Sequence, residues 1–317
     1  MRKVGLILVG WLAFGPAVSA QGADRIPRTS YGAPSLEGVW STLTATPLER
    51  PAGFDGPTTT EERARQFTSA AKTAFEADTS DGVGARGSEW WEFGNDMTRI
   101  GGEIRTSLIV DPPDGKMPYS EAGRARLKKL QLEVFTNFDG PEARPSTERC
   151  LAGGSGATGA PIFVPHYNAN SQIVQTQDYL VISMEYNREV RLIRIGGARL
   201  PDVMRRWMGD SIGRWEGETL VVETSNFVPG DAFKPSAPVL ISERARVTER
   251  FTRISAGEIL YRYTVDDPDV FSQPWSAEII LSAASDRINE YACHEGNYSM
   301  TGMLAGGRRN DELPPRR

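Results

Sequence analysis

The chain has few cysteines and histidines, which commonly bind metals or take part in catalysis: two of each among 317 residues. It contains no His-Glu-x-x-His metal motif. A glycine-rich stretch at residues 153–159 has no lysine and does not join a strand to a helix, so it does not indicate a phosphate-binding loop. We therefore expect neither a metal ion nor another cofactor.

The chain also lacks a cluster of positive charge that could serve a polyanionic partner. Its formal net charge is −5, and the arginines are scattered along the sequence. Because an acidic chain binds a phosphate backbone poorly, we expect no nucleic-acid partner. The basic C-terminus at residues 307–317 is predicted to be a flexible, solvated tail.

Long apolar runs are absent after the first twenty residues. Arg2 and Lys3 precede an apolar stretch at residues 4–18, and the small residues before Gln21 form a cleavage site. This layout is typical of a signal peptide. The stretch of about fifteen residues is shorter than the roughly 20 that span a bilayer, which argues against a stable membrane anchor. We expect cleavage near Ala20 and a periplasmic or extracellular location.

The two cysteines are Cys150 and Cys293. An even pair in an oxidising compartment usually forms a disulfide. The alternative is a catalytic thiol with His294 as its base, but adjacent residues on a strand point to opposite faces. We predict a disulfide.

Helical patterns occur only in the first half of the chain. One helix is predicted at residues 58–77, where Thr58 and Thr59 each precede a glutamate at the spacing of a capping box. A second helix begins after Ser120, whose hydroxyl can cap it. These helices and short strands are expected to make up an N-terminal region at residues 21–150.

Short strand patterns without intervening helices fill residues 151–306 and predict an antiparallel, lipocalin-like β-barrel or sandwich. The fold class is therefore mainly β. Gly38-Val39-Trp40 resembles the start of the first strand in lipocalin-like barrels, where the tryptophan plugs one end. The later strands are predicted at residues 172–177, 179–186, 189–195, 219–224, 244–253, 258–265, 275–281 and 288–292.

Strand alternation places one carboxylate inside the predicted barrel. Glu249 lies between Val247 and Phe251 on the apolar face of its strand, and Glu223 is a weaker candidate for the same orientation. A buried carboxylate must be paired or have a raised pKa, and such groups are often functional. The structural alternative is an internal ion pair with an arginine, for example Arg188 or Arg191.

Aromatic side chains on the next two strands share the same interior. Tyr261 and Tyr263 lie on one face, and Trp275 begins the apolar face of the following strand. With one or two glutamates they could bind a small amphipathic ligand. The alternative is an aromatic core with satisfied hydroxyls.

Two further segments carry reactive side chains. In the stretch at residues 291–298, His294 could act as a general base oriented by Glu295, and Tyr291 and Tyr298 could contact a ligand. Ser211 stands in a Gly-Asp-Ser-Ile-Gly stretch at residues 209–213. A serine hydrolase would need a base nearby, and turn chemistry explains that stretch equally well.

Several motifs resemble a large secreted bacterial family that is known mainly as uncharacterised. The resemblance covers about residues 36–306 and implies a shared fold, lipocalin-like in its C-terminal half, but no particular activity. Relatives often carry a histidine near the position of Arg188. The motifs are Trp-Met-Gly-Asp-Ser at 207–211, Trp-Glu-Gly-Glu-Thr-Leu-Val-Val-Glu-Thr at 215–224 and Tyr-Ala-Cys-His-Glu-Gly-Asn-Tyr at 291–298, with further stretches at 105–115, 148–150, 173–176 and 226–227.

The interior is also similar, at the level of fold, to cofactor-free decarboxylases of phenolic acids, which use tyrosine, glutamate and arginine inside a small barrel. We therefore hypothesise a cofactor-independent lyase that acts on a small aromatic or phenolic acid. The alternatives are a non-catalytic binding protein for a small hydrophobic ligand and a hydrolase of a sugar or ester. The sequence predicts a small-molecule partner and no particular oligomeric state. The assigned roles are acid–base catalysis by Glu249 and His294, orientation of the phenol by Tyr261 and Tyr263, carboxylate binding by Arg191 or Arg188, and ligand contact by Glu223, Trp275, Tyr291, Glu295 and Tyr298.

Overall fold

A computed structural model describes residues 26–78, 94–145, 148–151, 159–165, 168–229, 239–285 and 287–311. The predicted signal peptide lies outside these residues. The described chain is mainly β, as predicted, with three α-helices. The strands are β1 Gly38–Ser41, β2 Thr58–Thr59, β3 Arg99–Ile100, β4 Glu103–Arg105, β5 Ile109–Asp111, β6 Asn170–Gln175, β7 Tyr179–Met184, β8 Val190–Ile195, β9 Asp210–Glu216, β10 Thr219–Ser225, β11 Arg246–Arg253, β12 Glu258–Asp266 and β13 Trp275–Ala283; the helices are α1 Glu61–Asp78, α2 Glu121–Thr136 and α3 Tyr298–Asp311.

Nine strands close into a barrel. Strands β6 to β13 pair in sequence order, and β1 pairs with both β6 and β13, so that the sheet returns on itself. Neighbouring strands are antiparallel except for β8 and β9, which are parallel. Strand β5 pairs with the start of β13, at Ser276 and Ala277, on the same edge whose far end pairs with β1. Closure pairs the edges that an open sheet would leave exposed.

One end of the barrel is plugged by Trp40, as the Gly-x-Trp pattern predicts. The indole is buried, and the Arg253 guanidinium lies 4.6 Å from its ring centroid. Arg253 also donates hydrogen bonds to the carbonyls of Ser35 and Ser255 at 2.8 and 2.9 Å. Apolar residues of the segments at 159–165, 239–245 and 267–272 join the barrel core, and the last of these packs on Trp275 through Phe271.

Two strand assignments from sequence need correction. Residues 288–292 form no strand, because β1 and β5 already pair with the free edge of β13. Residues 210–216 form strand β9 rather than a turn. Gly213 lets β9 pack closely against its neighbouring strands. A Cβ atom at this position would lie only 3.3 Å from Ile193 and 3.2 Å from Leu220. The turn itself is Gly217, with φ +60°, between β9 and β10.

The N-terminal helices occur where the sequence predicts them, with one shifted start. Thr58 and Thr59 pair with β4 as a short strand, so α1 begins at Glu61 and Thr60 caps it by accepting a hydrogen bond from the Arg63 amide. Ser120 caps α2 as predicted, accepting from the Gly123 amide at 3.0 Å.

Strands β1 and β5 precede residue 150, yet they belong to the same sheet as β6 to β13. Residues 307–311 are helical rather than a flexible tail. They end α3, where Gly307 is buried against Phe138; a Cβ at this position would lie 2.3 Å from that side chain. Within the described residues, no helix is long and apolar enough to cross a membrane.

Candidate functional site: the barrel interior

A buried ion pair lies inside the barrel. Glu249 of β11 is 0% exposed and Arg191 of β8 is 3% exposed. One guanidinium nitrogen, Nη1, donates to Glu249 Oε1 at 2.8 Å, and Nη2 donates to Oε2. The inward orientation of Glu249 predicted from strand alternation is confirmed. Its partner is Arg191, one of the two arginines that the sequence offered for an internal ion pair.

Neutral side chains complete the hydrogen bonding of this pair. Arg191 also donates to the hydroxyls of Ser211 and Thr224, at 3.1 and 2.8 Å from Nη2. The Tyr261 hydroxyl donates to Glu249 Oε1 at 2.7 Å. Polar partners on both sides are what allow a charge pair to remain buried at tolerable cost.

The electrostatics favour the charged arginine and the neutral tyrosine. Burial alone would lower the pKa of Arg191, but the nearby Glu249 charge and its hydrogen bond raise that pKa above its ordinary value. Burial, and then the charge of Glu249, raise the pKa of Tyr261 well above its ordinary value. Arg191 therefore stays protonated, and Tyr261 serves as a hydrogen-bond donor rather than a phenolate at neutral pH.

Two other donors in the same interior make no hydrogen bond among the described residues. The Trp275 Nε1 atom is buried without a hydrogen-bond partner among the described residues. The Tyr263 hydroxyl likewise makes no hydrogen bond within this part of the chain, and burial raises its pKa. The two rings are 5.7 Å apart between centroids, edge to face. Ala277, a small residue, is the cross-strand neighbour of Tyr263.

Unsatisfied donors of this kind are uncommon in folded proteins. A buried polar group without a partner costs about 1–3 kcal/mol, and each such group calls for an explanation. A ligand with a hydrogen-bond acceptor would satisfy either donor. Tyr263 and Trp275 are thus the interior donors that a bound ligand could satisfy.

Glu223 does not belong to the interior, and its expected inward orientation is wrong. It lies on the outer face of β10, where Arg199 donates to one carboxylate oxygen and Arg214 donates to the other at 2.7 Å. The hydrogen bond from Arg214 lowers the pKa of the Glu223 carboxyl. Its strand neighbours Val222 and Thr224 occupy the inward positions instead.

Arg188 also lies outside the site. It is in a short 3-10 turn between β7 and β8, and its exposed guanidinium donates to Glu290 at 3.0 Å. A substrate carboxylate inside the barrel would not meet this side chain. The carboxylate-binding role assigned to Arg188 is therefore not supported.

The stretch at residues 291–298 does not converge on Glu249. His294 and Glu295 are exposed, and Tyr298 is 84% exposed at the start of α3. Tyr291 is half-buried and packs against Tyr186 with ring centroids 5.2 Å apart. Glu249 is buried inside the barrel and His294 is exposed, so the two do not form one acid–base site.

The predicted disulfide is confirmed. Cys150 and Cys293 are bonded with their Cα atoms 5.8 Å apart. The Asn297 side chain donates to the Glu148 carbonyl at 2.8 Å, which adds a second link between the two segments. The bridge therefore fixes the surface stretch around His294 rather than the barrel interior.

Other potential binding features lie elsewhere. In the described part of the chain, no group of three or more histidine, cysteine, aspartate or glutamate side chains is placed to hold a metal ion; His166 lies outside it. A groove of about 600 Å³ runs along the outer wall of the barrel between α1 and strands β12 and β13. Its polar lining includes Arg65, Asp96, Arg99 and Glu258.

Sequence reasoning missed two parts of the site. Ser211 and Thr224 hydrogen-bond to each other at 2.9 Å and support Arg191; the inward position of Thr224 follows from the alternation of β10. The second part is the segment at residues 159–165, whose Ile162 amide donates to the Tyr261 hydroxyl at 2.8 Å. Its run of apolar residues after the glycine-rich stretch is the signal that could have found it.

Comparison with known proteins gives no functional information, so a function can be inferred only from the geometry of the site. The chain matches no protein-family model, no curated protein and no solved structure. Its fold and interior define a class: a closed nine-stranded β-barrel with a buried, hydrogen-bonded charge pair and an unsatisfied interior donor, Trp275 Nε1. The resemblance to a secreted bacterial family stays a prediction.

Proposed function

We propose that the protein binds a small, neutral, aromatic molecule with a hydrogen-bond acceptor inside its barrel. The observation that carries this proposal is the buried Trp275 Nε1 atom, which has no acceptor among the described residues, beside the Tyr263 hydroxyl, which makes no hydrogen bond there either. Barrels with a filled, closed end and a few interior polar groups commonly hold one small ligand. The pair would fix the ligand's orientation.

The charge balance of the interior supports a neutral ligand. The Arg191 cation is already neutralised by Glu249, and the Tyr263 and Trp275 donors carry no charge. A ligand carboxylate would bring an uncompensated charge into the barrel, which is costly. A carbonyl, ether or phenol oxygen would accept from Tyr263 or Trp275 without that cost.

The surrounding rings support an aromatic ligand. Trp275 contacts both Tyr263 and Phe271 edge to face, with centroids 5.7 Å apart in each pair. Phe163 contacts Tyr263 in the same way at 5.8 Å. Edge-to-face pairs at these separations are favourable beyond their buried area. An aromatic ligand that entered this cluster of rings could make the same edge-to-face contacts.

The proposal is tested by titrating a neutral fluorescent probe, 7-amino-4-methylcoumarin, into the wild type and the Tyr263→Phe and Trp275→Phe variants. Each substitution removes one donor and keeps a ring. We expect each to weaken binding about fivefold to tenfold, the range for one net hydrogen bond of about 1–1.5 kcal/mol. Tyr263→Phe should leave the free energy of unfolding unchanged or raised, because the lost hydroxyl makes no hydrogen bond among the described residues.

Matched controls are Tyr298→Phe and Trp207→Phe, the same changes at exposed positions, which should leave the dissociation constant unchanged. The proposal is wrong if the probe does not bind, or if the two interior variants bind it as tightly as the wild type does.

A second candidate is the lyase hypothesis, favoured by the direct hydrogen bond from Tyr261 to Glu249 beside a cation. Such a pair could move a proton to the carbon that loses carbon dioxide. The test is incubation with 4-hydroxycinnamic acid while following loss of the carboxylate. A lyase predicts turnover that Glu249→Gln abolishes and Glu295→Gln, at an exposed position, retains. No turnover by folded wild type would reject this candidate and leave the binding proposal standing.

A further inference from the structure

A segment of the chain itself lies against the proposed ligand site. Residues 159–165, which we call the plug segment, contribute Ala160 and Ile162 to the barrel core, each 3% exposed. Phe163 and Val164 pack against the same core. The segment thus contacts the interior side chains that a bound ligand would also contact.

The plug segment presents the groups of a small aromatic ligand. The Ile162 amide donates to the Tyr261 hydroxyl at 2.8 Å. The Phe163 ring stands edge to face with Tyr263, with an interplanar angle of 83°. One N–H donor and one aromatic ring on adjacent residues therefore lie beside Tyr261 and Tyr263, respectively.

Few backbone interactions with other described residues hold this segment. Among the described residues it pairs with no strand and makes no main-chain to main-chain hydrogen bond, so the bond from Ile162 to Tyr261 is the polar contact that fixes it. Gly159, where the described segment begins, lies beside Met208. A segment held mainly by side-chain contacts can leave more readily than a strand of the barrel.

We propose that the plug segment is an internal ligand of the barrel, and that an external ligand binds by displacing it. This inference rests on the proposed function and names the ligand class more closely. The ligand carries an aromatic ring in place of Phe163, an N–H or O–H donor that reaches Tyr261 in place of Ile162, and an acceptor for Tyr263 or Trp275.

Competition between the plug segment and a ligand makes a specific prediction. Phe163→Ala removes the ring that the ligand replaces, so 7-amino-4-methylcoumarin should bind this variant about threefold to tenfold more tightly than the wild type, the range expected for one aromatic contact. Phe135→Ala, the same change on the exposed face of α2, is the matched control and should not alter the affinity. If the alanine variant does not fold, Phe163→Leu replaces it in the test, because leucine removes the ring but keeps most of the side-chain volume.

Hydrogen exchange gives the second measurement. In the wild type, saturating probe should increase amide exchange in peptides that cover residues 159–165, while exchange in β11 and β12 stays the same or falls. The inference is overturned if the probe binds but exchange at 159–165 does not rise and the Phe163 variants bind no more tightly. In that case the proposed function stands, provided that Tyr263→Phe or Trp275→Phe still weakens binding. If the probe binds no variant, the proposed function fails and the inference fails with it.

Discussion

Replacing Arg191 with methionine is expected to lower the free energy of unfolding by about 3–5 kcal/mol, the usual cost of removing one partner from a buried ion pair. Glu249 would remain as a fully buried carboxylate with Tyr261 as its remaining hydrogen-bond donor. Chemical denaturation followed by circular dichroism measures the change.

A double-mutant cycle separates the pair from its surroundings. Because the Arg191→Met/Glu249→Met protein has no isolated buried charge, it should recover most of the lost stability. The control Arg250→Met breaks an exposed ion pair with Glu216 and should leave the unfolding midpoint close to that of the wild type. If Arg191→Met is as stable as that control, the interior pair does not have the structural importance assigned to it.

Removing the Cys150–Cys293 bridge is expected to lower the free energy of unfolding by about 5 kcal/mol. The two cysteines are 143 residues apart, and the chain-entropy model assigns this value to a loop of that length. The measurement is denaturation of the Cys150→Ser/Cys293→Ser protein against the wild type without reductant.

Reductant supplies the control for this prediction. Dithiothreitol should destabilise the wild type by the same amount and leave the double serine variant unchanged. Two free thiols in the unfolded, unreduced wild type, or a wild-type midpoint that is insensitive to dithiothreitol, would show that no bridge stabilises the fold.

Much of the barrel is predictable because its strands follow simple alternation. In β11, Val247, Glu249 and Phe251 face inward, as the pattern indicates. The pattern fails where pairing depends on distant chain segments. Residues 288–292 have strand-like composition but no edge to pair with, and β9 contains a glycine that looks like a turn until its neighbours are known.

The candidate site is only partly predictable for the same reason. Local alternation identifies Glu249 and the interior tyrosines, but it cannot choose between Arg188 and Arg191, which lie three residues apart and have opposite environments. The stretch around His294 is dense in reactive side chains, yet its exposure depends on where the disulfide and α3 hold it. The unsatisfied donors and the plug segment depend on tertiary packing, which no local pattern encodes.

The central claim is that the barrel interior is the ligand site, and a crystal structure of the protein with 7-amino-4-methylcoumarin tests it most directly. We expect the coumarin inside the barrel, with its carbonyl oxygen within hydrogen-bonding distance of the Tyr263 hydroxyl or Trp275 Nε1. A coumarin found only in the outer groove between α1 and β13, with both interior donors still unpaired, would contradict the claim.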